Sequence, residues 1–255
     1  MKPAFFVWLI AVLITSEPFL AGAFPGRTRA GWGVDQRLSC NSSPEAVGNQ
    51  NEVIPIIVGS GKPSESVPNA MEFVCTISLV RTSDCKNILI DTGTASQKFN
   101  LIRELWKHGI RMSQVDFVVT THGHPDHYGN VNLFLTAPQS FDKFTVKGNT
   151  YIRNAFASGG KEVFIEDDKT LKLIQTPGHT PQDTSLIVSN VYTFDTVAIV
   201  GDLILFEAML DDLSKVSQQQ QQSMRAAVCN VKYVIPGHGP MFEVTSSTKS
   251  KLKCP

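Results

Sequence analysis

Three imidazoles and a carboxylate fall within six residues at His122, His124, Asp126 and His127, just after the apolar stretch 115–119. A buried wall ordinarily wants none of these side chains, and the chain has six histidines in all. His179 and His238 occupy the same kind of place, each in a Gly-containing turn after an apolar, strand-like run. A cluster this dense reads as a metal site rather than as a solvated polar loop. Aspartates close two further apolar runs, Asp91 in Ile90-Asp91-Thr92-Gly93 and Asp202 after 196–200. Asp202 joins the candidate ligands. Asp91 either orients a neighbouring group or caps the helix that follows.

Seven ligands are too many for one tetrahedral ion. They suit two divalent ions about 3.5–4 Å apart, bridged by a carboxylate and a hydroxide. Such a pair acidifies the bridging water, polarises a carbonyl or phosphoryl oxygen and steadies the leaving group. Zinc takes imidazole nitrogen and carboxylate oxygen, and manganese or iron also fits these donors. The five cysteines include no C-x-x-C pair, so neither an iron–sulfur cluster nor a cysteine zinc site is indicated.

The elements that must position these residues are strands ending in turns. Residues 53–59 form a strand suited to a sheet edge by Pro55, followed by a loop over 61–64. Two strands, 71–80 and 88–90, precede a helix over 96–108 with Phe99, Ile102, Leu105 and Trp106 on its apolar face. His108 lies in its last turn, outside every ligand turn, and is structural. The strand 115–119 delivers the histidine cluster, and a short helix begins within 129–134. Strands follow at 161–166, 171–174, 185–189 and 196–200. A helix over 213–228 carries Gln218 to Gln222 as a solvated face. The last strand, 232–235, ends at His238, and Lys249, Lys251 and Lys253 lie in a short solvated tail. No linker divides 53–255, so these residues make one hydrolase domain.

Residues 1–23 read as a secretory signal peptide: Lys2, an apolar core from Ala4 to Ile14, and Ala21-Gly22-Ala23 before the cut. That core is shorter than the ~20 residues needed to span a bilayer, so no stable membrane span remains after cleavage. Residues 24–52 form an irregular arm bearing a glycosylation sequon at Asn41. The cysteines allow up to two disulfides with one thiol left over. The expected destination is the secretory lumen or the cell exterior. A net charge of zero gives no electrostatic footprint of a nucleic-acid binder.

In its order of motifs the chain resembles the metallo-β-lactamase superfamily. Its H-x-H-x-D-H pattern is matched by His122, His124, Asp126 and His127, with His179, Asp202, His238 and Asp91 at the other expected places. The resemblance implies an α/β (α+β) fold, a four-layer αββα sandwich with two metals at one edge. His122, His124 and His179 would hold one ion; Asp126, His127 and His238 would hold the other; Asp202 would bridge them. Asp126 would also orient the attacking hydroxide, and Asp91 would support a ligand from behind. Antibiotic-hydrolysing members commonly lack the last His of the pattern. Glyoxalase II enzymes add a C-terminal helical domain, and large RNA-processing nucleases insert another, neither of which is present here.

Within the superfamily the chain is similar to the metallo-β-lactamase domain-containing protein 1 family. The stretches that carry this likeness include Gly129-Asn130, Leu133-Phe134, Thr176-Pro177-Gly178-His179 and Pro236-Gly237-His238-Gly239-Pro240. It implies a small homodimeric di-zinc phosphodiesterase, an endoribonuclease acting on single-stranded RNA. The leader departs from the nuclear or cytosolic role this implies. Thioester or lactone hydrolysis by the same metals, or a non-catalytic secreted metal-binding protein, are the alternatives.

Overall fold

The structure is a computed structural model that describes residues 50–165 and 169–255. The expected leader, most of the arm and Asn41 lie outside the described residues. Five strands come first: β1 (Glu52–Ile57), β2 (Ser60–Pro63), β3 (Met71–Val74), β4 (Ile77–Arg81) and β5 (Asn87–Ile90). Helix α1 (Lys98–Lys107) and β6 (Phe117–Val119) follow, then the one-turn α2 (Pro125–Tyr128). Next come β7 (Gln139–Phe141), β8 (Phe144–Lys147) and β9 (Thr150–Arg153). The second half holds β10 (Glu162–Phe164), β11 (Leu171–Gln175), β12 (Thr184–Val191) and β13 (Asp195–Ile199). It closes with α3 (Gln218–Val228), β14 (Tyr233–Ile235), β15 (Phe242–Glu243) and α4 (Ser246–Leu252).

The period of two along the strands builds the layers. One sheet runs β1-β4-β5-β6-β7-β8-β9 and the other β10-β11-β12-β13-β14-β15. Val80, Ile88, Ile90 and Val119 from the first sheet pack with Leu186, Val188, Val197 and Ile199 from the second. The alternate residues face outward. Leu79, Leu89 and Val118 meet Leu101 and Leu105 of α1, while Ile187, Ala198 and Val234 meet Met224 and Val228 of α3. The result is helix, sheet, sheet, helix, the expected αββα arrangement. Emptying one of these fully buried positions, such as Leu105→Ala, costs about 2–5 kcal/mol.

Several expectations about elements need correction. Residues 61–63 of the expected loop are strand, since Ser60 to Pro63 pair with β3 in a separate two-stranded ribbon that Gly61 and Pro63 disguise. The run 71–80 breaks at Cys75-Thr76, where Thr76 N–H donates to the Gly237 carbonyl and its hydroxyl to that of Gly239. On α1 the buried pair is Leu101 and Leu105, whereas Phe99 and Trp106 are 79% and 63% exposed. A 3-10 turn over Ala95–Gln97 precedes the helix, and the helix proper starts at Lys98. Strands β7 to β9 carried no period that marked them in advance. The arm is ordered at its end: Asn51 is buried and its amide donates to the Ser189 carbonyl and Thr170 hydroxyl.

The glutamine run is only partly solvated. Ser217 caps α3 by accepting from Gln220 N–H; Gln220 itself is buried and donates to the Leu203 carbonyl. Gln221 donates to the carbonyls of Leu213 and Val216, a 3-10 turn that replaces the expected first turns of the helix. The C-terminal tail is likewise structured. Thr245 caps α4, Lys251 pairs with Asp211 at 2.7 Å, and a disulfide joins Cys254 to Cys229 at the end of α3. Cys85 is also disulfide-bonded, and Cys75 is a buried free thiol. No helix among the described residues is long and apolar enough to cross a membrane.

Candidate metal centre

Five strand ends deliver the site. Asp91 follows β5, the cluster 122–127 follows β6, His179 follows β11, Asp202 follows β13 and His238 follows β14. The parallel pairs β5/β6 and β13/β14 bring their C-terminal ends side by side. Pro125 opens α2, where a missing N–H is no loss and φ is preset. That single turn, rather than the expected helix at 129–134, swings Asp126 and His127 inward; a 3-10 turn over Val131–Leu133 follows. His127 is fully buried and His124 is exposed, so the cluster spans from wall to rim.

The donor atoms fall into two groups: His122, His124, His179 and Asp202 in one, Asp126, His127 and His238 in the other. His124 Nδ1 stands 3.0 Å from both His122 Nε2 and His179 Nε2. Nitrogens bound tetrahedrally at 2.0–2.1 Å from an ion stand about 3.3 Å apart, so this spacing suits a cation at their centre. Asp202 faces both groups. Its Oδ2 is 3.3 Å from His179 Nε2, while Oδ1 is 3.2 Å from His127 Nε2 and 3.1 Å from His238 Nε2. Asp126 Oδ2 lies 3.6 Å from both His127 Nε2 and His238 Nε2.

Two atoms test whether metal fits. His127 Nε2 and Asp202 Oδ1 are buried without a hydrogen-bond partner. Stranding a buried imidazole nitrogen and a carboxylate oxygen costs free energy that coordination removes. Nitrogen and oxygen donors with no thiolate among them suit zinc, manganese or iron. The residues therefore fit a pair of divalent ions. His108, the remaining histidine, lies outside both groups; its carbonyl accepts from Arg81, and burial lowers its pKa.

Side chains behind the donors fix their tautomers. Asp91 accepts from Thr121 N–H at 2.8 Å, from the Thr121 hydroxyl at 2.9 Å and from His127 Nδ1 at 2.8 Å. His127 must then present Nε2 to the centre. Asp91 holds φ +60°, a left-handed conformation that costs a non-Gly residue about 1–3 kcal/mol and persists because these bonds over-determine it. The cap of the following turn is Thr94, whose N–H donates to Gln97 Oε1, so Asp91 serves the histidine and not the helix. His238 Nδ1 donates to the Val74 carbonyl at 2.8 Å, which aims its Nε2 at Asp202.

Three supports had no role assigned to them from the sequence. Asp183 accepts from the N–H groups of His179 and Thr180, both at 2.8 Å, and so shapes the turn that carries His179. Its only signal is a carboxylate four residues after a Pro-Gly-His turn. Asn130 donates to the carbonyls of Thr92 and Thr94, tying the Asp91 turn to the end of α2. Gly237 is required by close approach, since a Cβ there would lie 2.0 Å from Asp202 Oδ1.

The metal-free electrostatics are uneven. Burial drives His122 down to about 2, with the neighbouring His127 charge adding to it. Burial also opposes charge on His127, but Asp91 and Asp202 outweigh it and raise that group to about 10. His238 is raised too, as hydrogen bonding and attraction from Asp202 overcome burial. Burial works against ionised Asp202, yet the facing imidazoles of His127 and His238 hold it well below the usual carboxylate range. Burial, then the Asp91 and Asp126 charges, push the Cys75 thiol up, so it stays protonated beside the centre.

Comparison with known proteins agrees with this geometry. A family model described as the metallo-beta-lactamase superfamily matches residues 70–140. An uncharacterized protein of Caenorhabditis elegans is 30% identical, over 66% of this chain and 48% of its own. Metallo-beta-lactamase domain-containing protein 1 of Xenopus laevis is 34% identical, over 62% of this chain and 68% of its own. The chain thus spans about half the length of the first relative and two thirds of the second. A metallo-beta-lactamase crystal structure from Thermotoga maritima superposes with a TM-score of 0.60 at 20% identity, covering 76% of this chain and 99% of that one. That likeness is one of fold. The chain belongs to the metallo-beta-lactamase superfamily, whose fold is that of metal-dependent hydrolases.

Proposed function

We propose that the protein is a two-metal hydrolase that cleaves a carbonyl ester, lactone or thioester. The observation that carries this reading is the uncharged surround of the donors. One cleft adjoins Gly123 and another adjoins His179, and among the described residues neither is lined by Lys or Arg. A phosphodiester brings a negative charge for every linkage and is ordinarily met by such cations. A carbonyl substrate needs none.

Two divalent ions, zinc foremost, supply polarisation of the scissile bond and acidify water when bound. The chain's own residues do the rest. His122, His124 and His179 form one cradle, Asp126, His127 and His238 the other, and Asp202 faces both. Asp126 is 18% exposed where Asp202 is 5%, so it is the carboxylate that meets solvent and substrate. We assign it the catalytic role: the carboxylate oxygen it would leave free of the ion orients the attacking water and accepts its proton. Asp91 keeps the proton of His127 on Nδ1, away from the reacting atoms.

A second reading, cleavage of single-stranded RNA, is favoured by the ribbon β8–β9. Lys147 and Arg153 are exposed there beside Tyr151, a mixture of charge and stacking surface that suits a nucleic-acid strand. The two readings separate in one assay. Zinc-loaded protein is offered a panel of esters, lactones and thioesters beside labelled single-stranded RNA, with Asp202→Ala as control. Metal-dependent turnover of the carbonyl panel, lost in the control, supports the first reading. Cleavage of RNA alone replaces it with the second.

The route through the secretory pathway is also a proposal. It is supported by the disulfide Cys229–Cys254 and by a bonded Cys85, since such bonds persist in oxidising compartments. Secreted protein would begin at Phe24 and carry a glycan at Asn41, read by N-terminal sequencing and by a mass shift on deglycosylation. A homodimer is proposed as well, and sedimentation of the secreted protein tests it.

A further inference from the structure

We propose that the cleft beside Gly123 binds the apolar arm of the substrate, and that this arm is an acyl chain. The inference rests on the carbonyl reading above, and it assigns a specificity site that the metal donors do not define. The cleft, of about 440 Å³, is bounded by Gly123, Tyr128, Val131, Phe141, Val146 and Tyr151. That volume is in the range of sites that hold small molecules.

The sheet register makes this wall. Gln139 pairs with Val146 across β7/β8, and Val146 pairs with Tyr151 across β8/β9. Paired residues share a face, and Phe141, two residues beyond Gln139, shares it too. The row is therefore Gln139, Val146 and Tyr151, with Phe141 alongside. Phe144 meets Tyr151 edge-on at 5.9 Å, which limits how that ring can turn. The Gln139 amide reaches the Val131 carbonyl, which leaves the hydroxyls of Thr120, Tyr128 and Tyr151 as the polar groups of an otherwise apolar lining. Among the described residues, no charged side chain lines the cleft. An ionic head group or a nucleobase, with its several donors and acceptors, would lose hydrogen bonds there. A hydrocarbon chain would lose none.

The wall also adjoins the donors. Gly123 lies between His122 and His124, and a Cβ on it would sit 3.4 Å from Phe141 Cζ. His124 and Gly123 are exposed, so the cleft begins where the donor loop meets solvent. A substrate with its carbonyl at the donors can lay its chain across Gly123, over Phe141, toward Val146 and Tyr151. Tyr151 and Phe141 are exposed in the free protein and become covered in this arrangement.

The test uses the full-length chain expressed in a secretory host, with binding of acetate, hexanoate and decanoate measured by calorimetry on zinc-loaded and chelator-treated protein. Decanoate is expected to bind at least tenfold more tightly than acetate. Val146→Trp, which fills the cleft, and Tyr151→Ala, which opens its rim, should both remove most of that gain. Acetate binding and thermal melting should stay unchanged in the variants. The chain-length gain should survive chelation, because it belongs to the wall and not to the ions. Equal affinity for acetate and decanoate would overturn the proposal. So would a Val146→Trp variant that loses dimerisation while keeping its decanoate affinity, since the face would then belong to a second copy. If no ester is hydrolysed while the chain-length gain holds, the carbonyl reading falls and the acyl site stands.

Discussion

A single carboxylate shows how much of this centre depends on residues that never meet the substrate. Asp91 takes the Nδ1 proton of His127 and anchors Thr121 by two further bonds. Asp91→Ala should therefore weaken metal binding by roughly 10- to 100-fold while leaving the donors in place, as measured by competition with a chelator of known affinity. The protonation states give a second expectation. In metal-free protein the surroundings favour the charged forms of His127 and His238, the first with a pKa raised to about 10 and the second raised by its bond to Asp202. An ion must displace those protons, so metal affinity should rise with pH between 6 and 8. Calorimetry in buffers of different ionisation enthalpy should show net proton release, and uptake or indifference would contradict the assignment. The donors themselves were legible in the sequence because imidazoles and carboxylates seldom crowd turns after buried strands. Asp183 and the Val74 carbonyl were not, since an aspartate in a polar turn and a backbone oxygen look like many others.

At the scale of elements, the strands that carry donors were read well and the surfaces between them poorly. Short apolar runs bounded by Gly and Pro identified β5, β6, β13 and β14, because burial on both faces leaves no freedom of composition. Strands β2 and β9 are exposed throughout, so no hydrophobic period marks them. The helix α1 was found but turned the wrong way, with Phe99 and Trp106 outside and Leu101 inside. Turns can be tested more sharply than strands. Gly237→Ala puts a methyl group 2.0 Å from Asp202 Oδ1, and neither the carboxylate nor the nearby Gly201 backbone can withdraw without moving the centre. This variant should lose at least one of two bound ions per chain by elemental analysis, at a stability loss of about 1–3 kcal/mol. Retention of both ions would show the turn to be more pliant than its contacts imply.

For the whole molecule, the fold class followed from the order of motifs, while its fastening did not. Five cysteines allowed several pairings, and only the fold brings Cys229 and Cys254 to a Cα separation of 5.5 Å. The bridge closes a loop of 25 residues across β14, β15 and α4. On loop entropy it contributes about 3 kcal/mol. Cys254→Ser should lower the melting temperature by roughly 6–12 °C for a chain of this size, read by calorimetry beside the parent protein under reducing and oxidising conditions. A variant that melts with the parent would mean that α4 stays docked by its apolar face alone.

The division of the donors between the sheets sets an order of assembly. Each group draws on the first sheet through the 122–127 loop and on the second through His179, Asp202 or His238. Neither half of the chain can therefore capture an ion properly by itself, and more than a hundred residues separate His122 from His238. Metal loading is therefore expected to follow the slow, long-range strand pairing that brings the two sheets together. Ion occupancy would then report maturity: chains caught half-assembled would stay empty until both sheets have met.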